Sequence, residues 1–582
     1  MILLGVSRWR PPAQNAARTT SYPLYINEIL GHAGVGYEYI NDADLFDTLE
    51  HLQILLTVGD YALPVEAKSA LESWVAGGGV WVSIGGTCGM DSLFGVEVEP
   101  PAYSSWGGGV GTLGEGYLQS MAEAHPILKG FPLPLHFFNG IPVRGAGGTV
   151  LAKVLDAHQR ETERAALVEN RYGEGLAILI APDVTGTVVR IQQGIAVTRD
   201  GVPAPDGTAP VADDVLKSGD GAVLDWIFDR QEVSGTPGFR AFLEPIADWW
   251  TTILIRTLCY VAQSKRIPLP VLWYYPNNLN GLGHISHDTD GNDLALGERL
   301  LEVMAEAEIE STWCVILPGY PLELIRRIRE AGHELAMHFD TMSEHTRFTE
   351  DAFHEQWRLL KMLFEDAKIV SNKNHYLRWE GDTEFLEWCA SHGIRLDQSK
   401  GASKTGEAGF NFGTCHTYTL VDFRGNLLPV LELATTTQDL LIFAPETLVE
   451  PLLNAVQTHY GIFHLLFHPA HIAKPGVAEA LLRAVRKGKE AGFEWWTAEQ
   501  IALWETARRK AFWRYRTEES ICLKSHAKLP RATIMVLDVG QSGIEIEGVE
   551  GEKSTIERWG FSFQTLVFDI PHQVECYVRV SF

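Results

Sequence analysis

Between residues 270 and 510 short apolar runs alternate with amphipathic segments, and that alternation restricts the chain more than any other feature. The runs at 312–317, 333–338, 394–397, 428–433 and 462–468 are too short for buried helices and read as strands. Segments 293–307, 321–331, 349–366, 382–392 and 446–459 repeat apolar residues at helical spacing. Strands that alternate with helices build a mostly parallel sheet, because each crossover returns the chain to the same end. Repeated units of this kind predict a (β/α) barrel related to the eightfold type, with its chemistry at the C-terminal ends of the strands.

Those ends carry reactive side chains. Asp288 and Asp290 close the first run, two residues apart and so on one face, with Gly291 opening the turn. Neighbouring carboxylates are costly unless they share a cation or a proton, which suits one acid as a metal ligand and the other as a general base. The plain alternative is a solvated turn in which Asp290 or Asp293 caps the next helix. His338 ends the third run, His375 and Arg378 follow the fourth, Asp397 ends the fifth, and His468 ends the run at 462–468. A single histidine at a strand end is usually structural. Five consecutive ends carrying an acid, a histidine or an arginine point to one site.

The rest of the chain divides by pattern. At 582 residues it is too long for one core. Residues 1–235 alternate strands, as at 53–58, 80–85 and 173–181, with a helix from 64 to 75 that Gly77–Gly79 ends. Residues 236–269 read as a helical connector, 270–510 as the barrel, and 511–582 as a small β-sandwich of short alternating strands. The sequence "VAGGGVWVSIGG" followed by "DSLFGVEVEPP" resembles the glutamine-amidotransferase-like, flavodoxin-type domain found as an accessory in carbohydrate-active enzymes. Within it Gly86-Thr87-Cys88-Gly89-Met90 has the outline of a nucleophile elbow, but Met90 replaces the second glycine and no His-x-Glu partner follows. Cys88 therefore reads as a small buried thiol in a sharp turn.

The order of strand-end residues in 270–505 resembles the polysaccharide deacetylases, the NodB-homology fold of carbohydrate esterase family 4. "HDTDG", "GHELAMH", "NHYLRW", the Asp397 segment and "LLFHP" stand where that family has its five motifs, and "WWTAEQIALW" resembles its closing segment. The resemblance implies Asp288 as catalytic base, Asp290 and His338 as metal ligands, and His468 as general acid. It implies that Arg378 orients Asp288 and that Asp397 pairs with His468. The family's second metal histidine, four residues after the first, is Met342 here, and a thioether is a poor ligand for such a site. The third ligand is expected to be His375, with His345 and then Asp340 as alternatives. His464 and His471 flank the last motif, as helpers or as core histidines.

The expected cofactor is a divalent metal, zinc before others, and the expected reaction is hydrolysis of an acetyl amide or ester on an amino sugar or other saccharide. A non-sugar amide or imide substrate, and a non-catalytic glycan-binding or scaffolding protein with a degenerate site, stay open as alternatives. A formal net charge of −26 argues against nucleic-acid or anionic-membrane partners; homo-oligomerisation is left open. Seven scattered cysteines, none in a C-x-x-C pair, suit reduced thiols. With no signal peptide or apolar run of about 20 residues in view, the expected location is the cytoplasm.

Overall fold

Two long sheets, each built around a parallel core, organise the chain. The computed structural model describes residues 2–8, 22–41, 44–61, 63–99, 113–209, 213–342, 347–517, 520–546 and 549–581. Contacts group the chain into one unit of residues 1–189, 249–278 and 507–582 and a second of 190–248 and 279–506. Among the described residues no helix is long and apolar enough to cross a membrane.

In the first unit Glu38–Tyr39, Ile2–Arg8, Leu52–Val58, Val80–Ile84 and Gly175–Ile180 lie side by side in that order, all parallel. The sheet then continues antiparallel through Glu161–Tyr172, Thr149–Asp156, Glu115–Ser120 and Leu135–Phe138. Leu52–Val58 is almost wholly buried, as a parallel strand covered on both faces must be. Cys88 follows Val80–Ile84 with φ +54° and is fully buried; its N–H donates to Asp60 Oδ1 at 2.8 Å. Two four-stranded antiparallel sheets complete the unit. One joins Pro270–Leu272 to Leu529–Leu537, Phe561–Ile570 and Glu552–Arg558; the other contains Ala511–Thr517, Ser520–Ser525, Val574–Ser581 and Gly543–Ile546.

The second unit holds the curled sheet that the strand–helix alternation predicts. Its parallel strands are β1 (Leu282–Asp288), β2 (Thr312–Val315), β3 (Glu334–Phe339), β4 (Ser371–Asn374), β5 (Leu396–Asp397), β6 (Leu427–Glu432) and β7 (Ile462–Leu466). They pair in sequence from β1 to β6, and β7 returns to β1. The chain leaving β6 runs straight on to Thr437–Gln438, which pairs with β7. One segment, 427–438, therefore joins both ends of the sheet, and Glu494–Trp495 pairs in parallel with β1 as well. Gly283 in β1 is required by close packing, since a Cβ there would lie 2.4 Å from the Trp495 ring. Helix Leu294–Ala307 starts on Asp293, whose carboxylate accepts from the Leu296 N–H at 3.0 Å.

The units cut the chain differently from the sequence boundaries at 235, 269 and 510. Residues 190–248 join the barrel because their backbone pairs with its loops, Val197 with Gly381, Lys217 with Arg378 and Phe242 with Gly409. The helix expected as a connector, Ile246–Ser264, passes from one unit into the other after Asp248. Residues 270–278 leave the barrel for the first unit, where Pro270–Leu272 pairs antiparallel with Leu529–Leu537. These pairings join segments tens to hundreds of residues apart, which no local pattern reveals.

The barrel interior buries several neutral histidines. Burial pushes His284 and His333 down to about 4 and His287 to about 3, and lowers His464 as well. His333 Nδ1 accepts from the Ser311 N–H at 3.0 Å, which only the neutral ring can do. Above the ordinary imidazole value near 6.5 these rings are neutral folded or unfolded, and stability is full. Below it the unfolded chain takes protons that the folded barrel refuses, so each ring costs about 1.4 kcal/mol per pH unit until its folded value is reached. These rings should therefore pull the urea midpoint of the full chain, followed by tryptophan fluorescence, downward between pH 7 and pH 5. Buried carboxyls such as Glu334, pushed up to about 7, gain protons on folding over the same interval and act against that pull. His333→Asn, whose side-chain oxygen can still accept from Ser311, should make the downward pull weaker by one proton. The same pH dependence in His333→Asn and in the unsubstituted chain would show that this ring is not held neutral by the fold.

Candidate metal and acid–base site

The C-terminal ends of β1, β4 and β7 bring Asp288, Asp290, His375 and His468 around one cavity of about 530 Å³, and the end of β3 sets His338 behind Asp290. Asp288 is the last residue of β1 and is buried; Asp290 stands in the turn that follows, partly open to the cavity. His338 is fully buried near the end of β3, and His375 comes directly after β4.

Three ligand atoms converge on Asp290. Its Oδ1 lies 3.3 Å from His338 Nε2 and 3.7 Å from His375 Nε2, and donor atoms of the three residues all lie within 4.8 Å of one another. The far nitrogen of each ring is already committed. His338 Nδ1 donates to the Lys373 carbonyl at 2.8 Å, and His375 Nδ1 donates to Asp340 Oδ1 at 2.9 Å. Both Nε2 atoms are thereby turned towards the Asp290 carboxylate. His338 Nε2 and Asp290 Oδ1 are buried and make no hydrogen bond among the described residues. Donor atoms so gathered in a low-dielectric site need a cation or a proton between them. Against the effect of burial, Asp288 and Asp290 raise His338 towards taking that proton when no metal is bound. The donor set, two imidazoles and a carboxylate with outer partners fixing both rings, fits a divalent metal such as zinc.

The local field favours positive charge throughout. Burial alone would raise the Asp290 carboxyl, but His338, His468 and His375 together hold it well below the carboxylate range. Burial also opposes protonation of His468, yet Asp439, with Asp288 and Asp290 beyond it, pushes that ring up to about 9. His468 Nδ1 donates to Asp439 Oδ2 and its backbone N–H donates to Asp439 Oδ1 at 2.8 Å. Its Nε2 is thereby turned towards Asp290 Oδ2, 3.7 Å away. His471 Nδ1 donates to the same Asp439 oxygen at 2.8 Å.

Two expected roles are corrected. Arg378 does not serve Asp288: its Nε and Nη2 donate to Glu380 and its Nη1 donates to the Thr341 carbonyl, so it anchors the loop after β3. The cation beside Asp288 is Lys373, fully buried in β4, with Nζ 3.8 Å from Asp288 Oδ1 and a hydrogen bond to Ser286 Oγ. Asp397 does not serve His468 either. It accepts from Asn372 Nδ2 at 2.7 Å and from Ser399 Oγ at 2.9 Å, deep in the barrel beside Glu432. The partner of His468 is Asp439, carried by the segment that closes the sheet. Sequence reading missed Lys373, one residue inside a strand read only for its end, and Asp439, whose neighbour in the sheet lies 29 residues on.

Met342 has a part of its own. Its N–H donates to Asp340 Oδ1 at 2.9 Å, the oxygen that also takes the His375 proton. Asp340 is thus an outer partner of His375 and not a competing ligand, while His345 lies outside the described residues. His464 belongs to the core: its Nε2 accepts from Ser286 Oγ and its Nδ1 donates to the Ala434 carbonyl, both at 3.0 Å.

Elemental analysis of the purified full chain should find one zinc-like ion per chain, absent in Asp290→Ala and His375→Ala. Asp340→Ala, which frees the His375 ring, should weaken metal affinity by about tenfold to a hundredfold without abolishing it. Full occupancy in His375→Ala would move the third ligand elsewhere.

No protein-family profile matches the sequence, and no curated protein matches it. A solved structure from Mycobacterium smegmatis, provisionally named a polysaccharide deacetylase, is 18% identical with a TM-score of 0.33, the overlap covering 42% of this chain and 96% of that one. One from Pseudomonas aeruginosa, named in the same provisional way, is 15% identical with a TM-score of 0.30, over 40% of this chain and 92% of that one. The β-galactosidase of Bacillus circulans sp. alkalophilus is 14% identical with a TM-score of 0.23, over 32% and 30% of the two chains. Likenesses this partial leave the chemistry to be argued from the side chains of this chain.

Proposed function

We propose that this chain is a metal-dependent hydrolase that removes an acetyl or related acyl group from an amino sugar or other saccharide. The observation that carries the reading is the convergence of the His338 and His375 Nε2 atoms on Asp290, with both rings fixed from behind. A divalent metal held by Asp290, His338 and His375 would supply Lewis-acid polarisation of the acyl oxygen and lower the pKa of a bound water. Asp288 lines the same cavity and accepts the proton of the attacking water, with the Lys373 ammonium balancing its charge from behind. His468 hands a proton to the departing nitrogen or oxygen. Asp439 takes its Nδ1–H, so the proton available for transfer is the one on Nε2, facing the cavity. The Tyr376 and Phe443 rings line the cavity as well, and such faces suit the apolar side of a sugar.

The degenerate-site alternative drew its support from Met342. His375 stands where a second imidazole is needed, and Met342 holds the carboxylate that orients it. The parallel strands of the first unit run in chain order 2-1-3-4-5, the flavodoxin-like order, which supports reading that unit as an accessory α/β domain.

Acetate release from a panel of N- and O-acetylated sugars by the zinc-loaded full chain tests the reading. Asp288→Asn should keep the metal and lose about 10² to 10⁴ in turnover, and His468→Asn should do likewise. Asp439→Asn should lower kcat by about tenfold or more with KM little changed, since the ring loses its fixed tautomer. A fully active Asp288→Asn protein would remove that residue from the role of base.

A further inference from the structure

Part of the cavity wall differs in character from the metal-ligating residues. It is built by Asp213 and Lys217, from the segment that joins the barrel by backbone pairing, and by Ser403, Lys404 and Thr405 after β5. Lys217 is only 3% exposed; its Nζ donates to Asp213 Oδ2 at 2.6 Å and lies 5.0 Å from the centre of the Tyr376 ring. Lys404 approaches the other oxygen of the same carboxylate, at 3.4 Å. Its Nζ is buried and makes no hydrogen bond among the described residues.

One carboxylate thus serves two buried ammonium groups, each with three N–H donors. Nearby acids do not make up the difference. Asp220 is occupied by the backbone N–H groups of Lys217 and Gly201, at 2.7 and 2.9 Å. Glu407 accepts from the Ser403 N–H and hydroxyl and from the Lys404 N–H. Neither lines the cavity, and burial pushes both carboxyls up, towards the neutral form. A lysine that only clamped the fold would be hydrogen-bonded, because a buried ammonium without acceptors is costly. Lys404 is instead short of an acceptor on the wall of a cavity large enough for a sugar.

We propose that Lys404 and Lys217 form an anion subsite that binds a carboxylate or phosphate carried by the acylated substrate. The assignment of that anion to a substrate rests on the hydrolase reading above; the binding itself does not. An anionic group would supply the acceptor that Lys404 lacks, set the orientation of the sugar, and place the acyl group at the metal-ligating residues. A neutral acetylated sugar would leave the Lys404 ammonium with only its ion pair to Asp213, so the subsite selects for charge.

Calorimetric titration of the full chain with inorganic phosphate and, separately, with succinate tests this without any need for turnover. At least one anion should bind, and binding should survive His375→Ala, weaken by about tenfold or more in Lys404→Met, and return in Lys404→Arg. Binding of phosphate alone would assign a phosphorylated substrate, and of succinate alone a carboxylated one. No binding of either at millimolar concentration would overturn the proposal. So would binding that His375→Ala abolishes and Lys404→Met leaves intact, because the anion would then sit on the metal. Equal loss in the Met and Arg variants would make the effect one of packing and overturn it too. Failure of acetate release with anion binding intact would count against the hydrolase reading alone.

Discussion

Everything at the C-terminal end of the barrel turns on the donor atoms gathered at Asp290. Two imidazole nitrogens and a carboxylate oxygen are aimed at one another in a largely buried site, and the hydrogen bonds behind the rings prevent either from turning away. Such a cluster is favourable in a low dielectric only around a cation or with protons on its rings, and a metal would compete with those protons for the same atoms. The protein invests in this geometry at several removes. Arg378 anchors the carbonyl of Thr341, Met342 fixes Asp340, and Asp340 fixes His375, so a loop of three residues after β3 carries one ligand's orientation.

The same acidic centre explains why so much positive charge is packed around it. Lys373, in the middle of β4, spends its buried ammonium between Ser286 and Asp288, and Ser286 passes the hydrogen bond on to His464, which ends on the Ala434 carbonyl. Burial in this chain of hydrogen bonds, beside Lys373 and His284, keeps His464 neutral. Asp439 plays the opposite part for His468 and His471, holding two rings with one carboxylate. Two histidines of the same barrel are thereby driven in opposite directions, His464 downward by burial and His468 upward by its carboxylate partners.

What sequence could and could not deliver follows from the range of the forces involved. Asp288, Asp290, His338, His375 and His468 were legible because each sits at or just beyond the end of a strand, and strand ends follow from local periodicity. Their convergence needs only that the strands be parallel. The partners of those residues were not legible. Arg378 and Asp397 occupy the expected segments, but a two-residue β5 turns Asp397 inward to Asn372 and Ser399, and Arg378 finds Glu380 two positions away before it can reach Asp288. Side-chain direction at the end of a short strand is decided by packing across the barrel. Asp439 was invisible for a related reason, since the segment carrying it pairs with β6's neighbour on one side and β7 on the other only once the sheet has curled.

The domain boundaries show the same limit at a larger scale. The pattern of strands and helices placed residues 190–235 with the first domain, yet their backbone bridges to residues 378 and 381 group them with the barrel. That relocation changes the chemistry of the cavity. With Asp213 and Lys217 beside Lys404, the lining holds two ammonium groups around one carboxylate as well as the acidic pair Asp288 and Asp290. A cavity so polarised orients any ligand that carries its own negative charge, because only one of the two ways round places like charges apart. The inserted segment therefore does more than cover the strand ends: by adding Lys217 to Lys404 around a single carboxylate, it gives the cleft a direction.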